Sequence, residues 1–289
     1  MARPASRWLL ALGLFGCLSA QAASPVWAIR GAHNTVYLAG SIHLLRAADA
    51  TLPPAFMHAY TGAARLVMEV DLPKLDADEM ARTLIEHARL PAGTTLEQQL
   101  GAARFQRVSA AATALGLPDA TLERDTPWMV GLQLTELEYV HLGFDPQQGV
   151  EGQLMRRALA DHKPTAGLET FGDELGVFAA MSRPEQLRFL DMALADLDDA
   201  ESDTQTVLEA WRRGDARQLA ALLAREYRTF PSLYRALVTD RNRRWLPQIE
   251  TLLQQSEDSL VVVGALHLVG SGGLLELLRG AGFAPQQLN

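Results

Sequence analysis

Two histidines follow a similar pattern near opposite ends of the chain. His43 ends the segment VYLAGSIH, residues 36–43, and His267 ends the segment VVVGALH, residues 261–267. In each segment an apolar run reaches a glycine, and the histidine comes three residues after it. Because a glycine lets a strand turn closely, we expect each histidine at the carboxyl end of a strand, where α/β sheets bind ligands. If the two strands are neighbours, both imidazoles face one cleft, and two imidazoles suit a divalent metal ion.

A catalytic metal site also needs a carboxylate and an open coordination position. Glu69 is the natural candidate, because it lies inside the otherwise apolar run at 66–70. An unpaired charge buried in such a strand is costly, so burial of this residue implies a partner. Two alternatives stay open: Glu69 points to solvent from an edge strand, or the Gly-x-x-His pattern, which is a weak motif, occurs twice by chance.

The elements that must position these residues are strands near both ends of the chain. A fifth, weaker candidate strand at 162–168 contains Pro164, which favours a sheet edge or the start of a strand. We therefore predict an α/β fold, with a central mostly parallel sheet built from both chain ends and a large helical insertion in the middle. The four stronger candidate strands are the short β-rich runs at 26–30, 35–40, 65–71 and 260–264.

Between these strands the apolar spacing becomes helical. Leucines at 187, 190, 194 and 197 share one helix face, and the preceding segment from Ser182 to Glu185 has the form of a capping box. A helix is predicted to begin there. Pro247 is predicted to kink or end a later helix around Trp245.

Composition excludes one class of function. The chain has 289 residues, with 34 acidic and 26 basic side chains and a formal net charge of -8. No basic block occurs along it, so it lacks the electrostatic footprint of a nucleic-acid-binding protein. No linker or charge block divides the chain after its first residues, and we expect one α/β domain over residues 23–289.

The first 22 residues are predicted to be a signal peptide. Arg3 and Arg7 precede an apolar stretch at 8–20, and Ala20-Gln21-Ala22 forms a cleavage site. The apolar stretch is too short to span a membrane, so we expect an exported protein, periplasmic or secreted, with no transmembrane segment in the mature chain.

The single cysteine, Cys17, lies inside this predicted signal peptide. A mature chain from residue 23 onward therefore has no cysteine nucleophile, thiolate metal site or disulfide. Acylation of Cys17 as a lipid anchor is the alternative to cleavage after Ala22.

Six sequence elements, taken in order, resemble the TraB/PrgY/GumN family, and the resemblance covers nearly all of the mature chain. That family includes the TIKI metalloproteases and is similar in fold to the erythromycin esterase and ChaN-like proteins. The elements are Gly-x-x-His at 40–43, Met-Glu-Val-Asp at 68–71, Gly-Val-Glu at 149–151, Gly-Leu-Glu-Thr at 167–170, Arg-Asn at 241–242 and Gly-Ala-Leu-His at 264–267.

The resemblance implies a divalent-metal-dependent hydrolase site carried by His43, Glu69 and His267, with Arg241 and Asn242 nearby. TIKI members use manganese or cobalt, and zinc is the third candidate ion. Glu69 would take a proton from the attacking water and Arg241 would stabilise the oxyanion of a peptide or protein substrate. The alternative is a non-catalytic protein that sequesters a peptide signal, a metal or haem in the same cleft, as PrgY-like and ChaN-like relatives suggest. The substrate, the ion and the oligomeric state stay open.

Three further features bear on the site. Glu151 stands where an aspartate is often found in the family, and the longer carboxylate is expected to displace its contact. Glu169 is a second strand-end carboxylate that could reach the cleft. Only six residues follow Phe283, so we expect a last strand seen in some relatives to be absent.

Overall fold

The computed structural model describes residues 23–197 and 200–289. The predicted signal peptide, residues 1–22 with Cys17, lies outside the described residues. Within the described ranges, no helix is both long enough and apolar enough to cross a membrane.

A six-stranded sheet has the order β4-β3-β5-β2-β1-β6. The four neighbours β4, β3, β5 and β2 run parallel, whereas β1 and β6 are added antiparallel at one edge. This arrangement confirms the predicted mostly parallel sheet assembled from both chain ends. The strands are β1 (Val26–Arg30), β2 (Thr35–Ser41), β3 (Arg65–Val70), β4 (Thr165–Glu169), β5 (Ser259–Gly264) and β6 (Gln286–Gln287).

The expectation of no last strand is wrong, because the two-residue β6 pairs with β1. The tail is held there by Ser24, whose backbone N–H and hydroxyl both donate to the carbonyl of Leu288. Six residues after Phe283 are thus enough for a short edge strand. The weaker strand candidate is confirmed as β4, which lies at the opposite edge and begins directly after Pro164.

Helices fill the long connections from β3 to β4 and from β4 to β5, as the predicted helical insertion requires. A π-helical turn, Arg235–Thr239, leads directly into α13. The helices are α1 (Pro54–Gly62), α2 (Ala77–Ala88), α3 (Leu96–Leu100), α4 (Ala102–Ala114), α5 (Asp119–Leu122), α6 (Pro127–His141), α7 (Val150–Ala160), α8 (Phe171–Ala179), α9 (Arg183–Asp196), α10 (Ala200–Arg212), α11 (Ala216–Glu226), α12 (Pro231–Tyr234), α13 (Asp240–Leu253), α14 (Ala265–Leu268) and α15 (Leu274–Gly280).

Two helix predictions have different outcomes. The capping box of Ser182 and Glu185 forms and begins α9, as expected. Of the two effects predicted for Pro247, a kink or an end of the helix around Trp245, the end is wrong, because α13 continues through Pro247 to Leu253. Ile249 and the residues of the last turn are buried against the sheet, and this packing holds the helix beyond the proline.

The sheet core fixes the carboxyl ends of the strands. All six residues of β5 are buried, as expected for a central strand covered on both faces. The indole Nε1 of Trp211, in α10, donates to the carbonyl of Gly40 at 2.7 Å, so a buried helix side chain anchors the end of β2. Two further apolar clusters lie within the helical insertion.

Candidate functional site

Three neighbouring strands bring together His43, Glu69 and His267. The central strand β5 lies between β3, which carries Glu69, and β2, and the two histidines follow β2 and β5. The predicted pairing of the two Gly-x-x-His strands is confirmed, with Ser41 opposite Gly264.

Gly264 marks the point where these side chains converge. A β-carbon built at this glycine would lie 3.3 Å from Nε2 of His43, 3.5 Å from Oε1 of Glu69 and 3.6 Å from Cδ2 of His267. A larger residue would therefore fill the space that the three side chains share.

Glu69 is buried, and 9% of its surface is exposed. Its Oε1 accepts a hydrogen bond from the backbone N–H of Gly264 at 2.7 Å, and its Oε2 accepts one from Nη2 of Arg241 at 2.5 Å. Since β3 is an interior strand, the alternative in which Glu69 points to solvent from an edge is excluded. The partner that its burial requires is Arg241.

His267 is also buried, and Asn242 fixes its orientation. Nδ2 of Asn242 donates to the carbonyls of His267 and Gly272, so Oδ1 of Asn242 is the acceptor that faces Nδ1 of His267 at 2.8 Å. This assigns the imidazole proton to Nδ1 and leaves Nε2 with a lone pair. Nε2 lies 3.2 Å from Nη1 of Arg241 and 4.0 Å from Oε1 of Glu69.

His43 occupies a different environment, with 61% of its side chain exposed. Its Nδ1 lies 2.9 Å from Oε1 of Glu151, near the start of α7, and the hydroxyl of Ser41 donates to the same oxygen. Glu151 is therefore a direct partner of the first histidine. Glu151 turns the other ring nitrogen, Nε2, towards Gly264.

Arg241 binds two carboxylates at once. Its Nε and Nη2 donate to Oε1 of Glu169 at 3.0 and 2.6 Å, in addition to the contact with Glu69. The guanidinium carbon lies 4.7 Å from the centre of the Trp245 ring, whose Nε1 donates to Oε2 of Glu169 at 3.1 Å. Arg241, Asn242 and Trp245 all come from the first turns of α13, so one helix supplies the basic side of the cluster.

Glu174, in the first turn of α8, also reaches this cluster, and sequence reasoning missed it. Its Oε1 lies 4.0 Å from Nη2 of Arg241, and 35% of its side chain is exposed. Within the described part of the chain, no residue donates a hydrogen bond to this carboxylate. The signal available in the sequence was its position in the first turn of the helix that follows Glu169 at the end of β4.

The surroundings shift the pKa values of the central groups in opposite directions. Burial alone would raise the pKa of Glu69, but the charges of Arg241 and His43 and the hydrogen bond from the Gly264 N–H lower this pKa, so the carboxylate stays ionised. Burial lowers the pKa of His267 to about 4, so its imidazole is neutral at neutral pH. The negative charge of Glu151 raises the pKa of His43. Burial, and then the charge of Glu69, raise the pKa of Glu174.

These side chains open onto a cleft of about 290 Å³. His43, Glu69, Gln147, Glu151 and Glu174 line it as polar residues, and apolar residues such as Met155 supply most of the remaining wall. Of the five residues expected at the site, His43 and Glu69 line the cleft. Arg241 and His267 lie behind Glu69, and Asn242 lies behind His267.

A divalent ion needs several donor side chains close to one point. Within residues 23–197 and 200–289, no three His, Cys, Asp or Glu side chains have the close spacing of a formed metal site. The chemistry of the donors nevertheless fits an ion: each histidine has an oxygen acceptor at Nδ1, and each directs Nε2 towards the space beside a carboxylate. Arg241 is the group that contacts two of these donors, Glu69 and His267, in this structure.

The fold and this cleft define a class: an α/β protein in which two strand-end histidines flank a buried glutamate paired with an arginine. The chain belongs to the TraB/PrgY/GumN family, which matches residues 25–287. It is similar to the uncharacterized protein YbaP of Escherichia coli K12, with 26% identity over 244 residues, 84% of this chain and 87% of the relative. The same protein of Shigella flexneri matches equally. An uncharacterized protein of Treponema pallidum is 24% identical over 273 residues, 88% of this chain and 79% of that relative. No solved structure matches the chain.

Proposed function

We propose that this protein is an exported, divalent-metal-dependent hydrolase that acts on peptides or proteins. The observation that carries the proposal is the convergence of His43 Nε2, Glu69 Oε1 and the His267 ring over Gly264. The resemblance of the same residues to the site of the TIKI metalloproteases supports it. Manganese, cobalt and zinc are the candidate ions.

In this proposal, His43, Glu69 and His267 hold the ion. A bound divalent ion supplies Lewis acidity, which polarises a carbonyl and makes a water molecule acidic near neutral pH. Asn242 and Glu151 orient the two histidines through their Nδ1 atoms. The low pKa of Glu69 suits a residue that holds a cation more than one that takes up a proton.

Two other side chains complete the chemistry. Arg241 carries a charge beside the cleft that can stabilise an oxyanion, once one of its donors turns from its present carboxylate partners. Glu174 is exposed to the cleft without a hydrogen-bond donor among the described residues, so it can exchange a proton with water or a leaving group.

The location of the protein is also a proposal. The predicted signal peptide and its cleavage site after Ala22 support export to the periplasm or beyond, with lipid attachment at Cys17 as the alternative.

One observation favours a second candidate function, a binding protein without turnover. The guanidinium of Arg241 already satisfies Glu69 and contacts Nε2 of His267, so the cluster is electrostatically complete without an ion. Such a protein would sequester a peptide, a metal or haem in the same cleft.

The two candidates differ in whether a peptide bond is broken. Residues 23–289 are incubated with a proteome-derived peptide library, with EDTA or with Mn²⁺, Co²⁺ or Zn²⁺, and new termini are identified by mass spectrometry. The hydrolase predicts cleavage that EDTA abolishes, that one of the ions restores and that Glu69→Gln removes. Glu97→Gln, at an exposed position of α3, is the matched control. Metal binding without any cleavage would favour the binding protein.

A further inference from the structure

A second and larger cavity, of about 560 Å³, lies beside the cleft at the carboxyl ends of β3 and β4. Both cavities are lined by Val70, and Glu169, the partner of Arg241, lines the larger one. Helices α2 and α8 supply the outer walls. An extended chain bound in the cleft would therefore continue into this cavity.

The acceptor at the base of the cavity is incompletely satisfied. Oδ2 of Asp71 lies 2.7 Å from Nζ of Lys74 and accepts a hydrogen bond from the hydroxyl of Thr165 at 3.1 Å. Oδ1 of Asp71 is buried and has no hydrogen-bond partner among the described residues, although Asp71 lines the cavity. A buried carboxylate oxygen without a donor is costly, and a donor from a ligand would satisfy it.

The charge and shape of the walls indicate which donor fits. Asp71, Glu79, Asp173 and Glu169 contribute four carboxylates, of which Glu169 is already paired with Arg241. Lys74 contributes one ammonium, which is already engaged by Asp71 and by the carbonyl of Thr165. The remaining wall is largely apolar and includes Leu75, Met80, Leu168 and Phe171. An apolar wall that leads to carboxylates complements an alkyl stem that ends in a positive charge.

We propose that this cavity is a subsite for a basic side chain, lysine or arginine, of the bound peptide. The peptide context rests on the proposed function, but capture of the basic group does not require an ion or a cleaved bond. A turn of the Asp71 carboxylate brings its free oxygen into the cavity to receive the ammonium or guanidinium, and the apolar wall covers the stem. The subsite thus selects peptides with a basic residue near the bond that lies in the cleft.

The test is a binding measurement on residues 23–289 in EDTA, with Nα-acetyl-arginine amide and the uncharged Nα-acetyl-norleucine amide as probes. Titrations followed by NMR give the two dissociation constants. We expect the arginine probe to bind with a millimolar dissociation constant. Its binding should be at least about tenfold tighter than that of the norleucine probe, because only the arginine probe forms a charge-assisted hydrogen bond. Asp71→Asn is expected to weaken arginine binding by about fivefold or more. Asp119→Asn, at an exposed position of α5, is the matched control.

If circular dichroism shows that Asp71→Asn is unfolded, Glu79→Gln replaces it, because Glu79 is exposed and lines the same cavity. Equal affinity for both probes, no binding at about 50 mM, or arginine binding unchanged by the folded variant would overturn the subsite. None of these outcomes depends on the metal. Arginine binding without peptide cleavage would support the subsite and contradict the hydrolase. Peptide cleavage without arginine binding would support the hydrolase and contradict the subsite.

Discussion

His267 and His43 follow the same Gly-x-x-His pattern but differ in burial. We call residues 264–267, which follow β5, the buried arm of the site, because His267 is buried. Residues 40–43, at the end of β2, form the exposed arm, because His43 is exposed. The His267 side chain is 9% exposed and is anchored to the neutral amide of Asn242, itself fully buried. The His43 side chain is 61% exposed and is anchored to a carboxylate. In the proposed metal site, the buried arm would supply a fixed, neutral ligand, and the exposed arm would supply one that can adjust.

Loss of the buried histidine should have the largest effect. His267→Ala removes a neutral imidazole and leaves Asn242 without its partner, so we expect the affinity for Mn²⁺ to fall by more than about 100-fold, beyond the usual effect of an outer anchor. His43→Ala should weaken Mn²⁺ binding less, because the exposed arm is open to water, and a water molecule can take the coordination position that His43 leaves. Isothermal titration calorimetry gives both affinities. Equal losses would remove the distinction between the arms.

Asn242 anchors His267 and Glu151 anchors His43. Changing Asn242 should lower the metal affinity more than changing Glu151. Asn242→Ala frees the His267 ring to rotate, and we expect a loss of about 10- to 100-fold in metal affinity. Glu151→Gln keeps a hydrogen-bond acceptor for His43 and should cost less than about tenfold. The same titration measures both variants, and a larger loss for Glu151→Gln would reverse the ranking.

Gly264→Ala tests the space between the arms. The new β-carbon would come closest to His43, at 3.3 Å, and the exposed ring can move away by the few tenths of an ångström required. The backbone at residue 264, with φ of -49° and ψ of 135°, accepts an alanine without strain. We expect an unchanged fold by circular dichroism and about a tenfold loss of metal affinity. Wild-type affinity would show that the ion does not occupy this space.

The smallest expected effect is a change in the fluorescence of Trp245, which lies beside the buried arm. In the proposed site, an ion held by Glu69 and His267 would compete with Arg241, whose guanidinium contacts both side chains and lies over Trp245. We therefore expect Zn²⁺ to shift the tryptophan emission by a few nanometres, and Trp245→Phe to abolish the shift. An emission spectrum unchanged by saturating Zn²⁺ would show that Arg241 keeps its place.

The sequence predicted the parts of the site that depend on a single physical rule, such as strand pairing or the cost of a buried charge. Paired Gly-x-x-His strands predicted the convergence of His43 and His267, because parallel neighbours end at the same sheet edge. The cost of burying Glu69 predicted a partner, though not its identity. Glu174 escaped prediction because its role depends on how α8 packs across the strand ends. Pro247 misled for a similar reason, since buried residues after it, such as Ile249, hold α13 together.

The central claim is that both arms hold one ion, and equilibrium dialysis of residues 23–289 against Mn²⁺, Co²⁺ or Zn²⁺ tests it most directly. The comparison includes wild type, His43→Ala, His267→Ala and a control, His141→Ala, at an exposed position of α6. We predict one ion per chain in wild type and in the control, reduced occupancy in His43→Ala and none in His267→Ala. Equal occupancy in all four proteins, or no bound ion in any of them, would contradict the metal site.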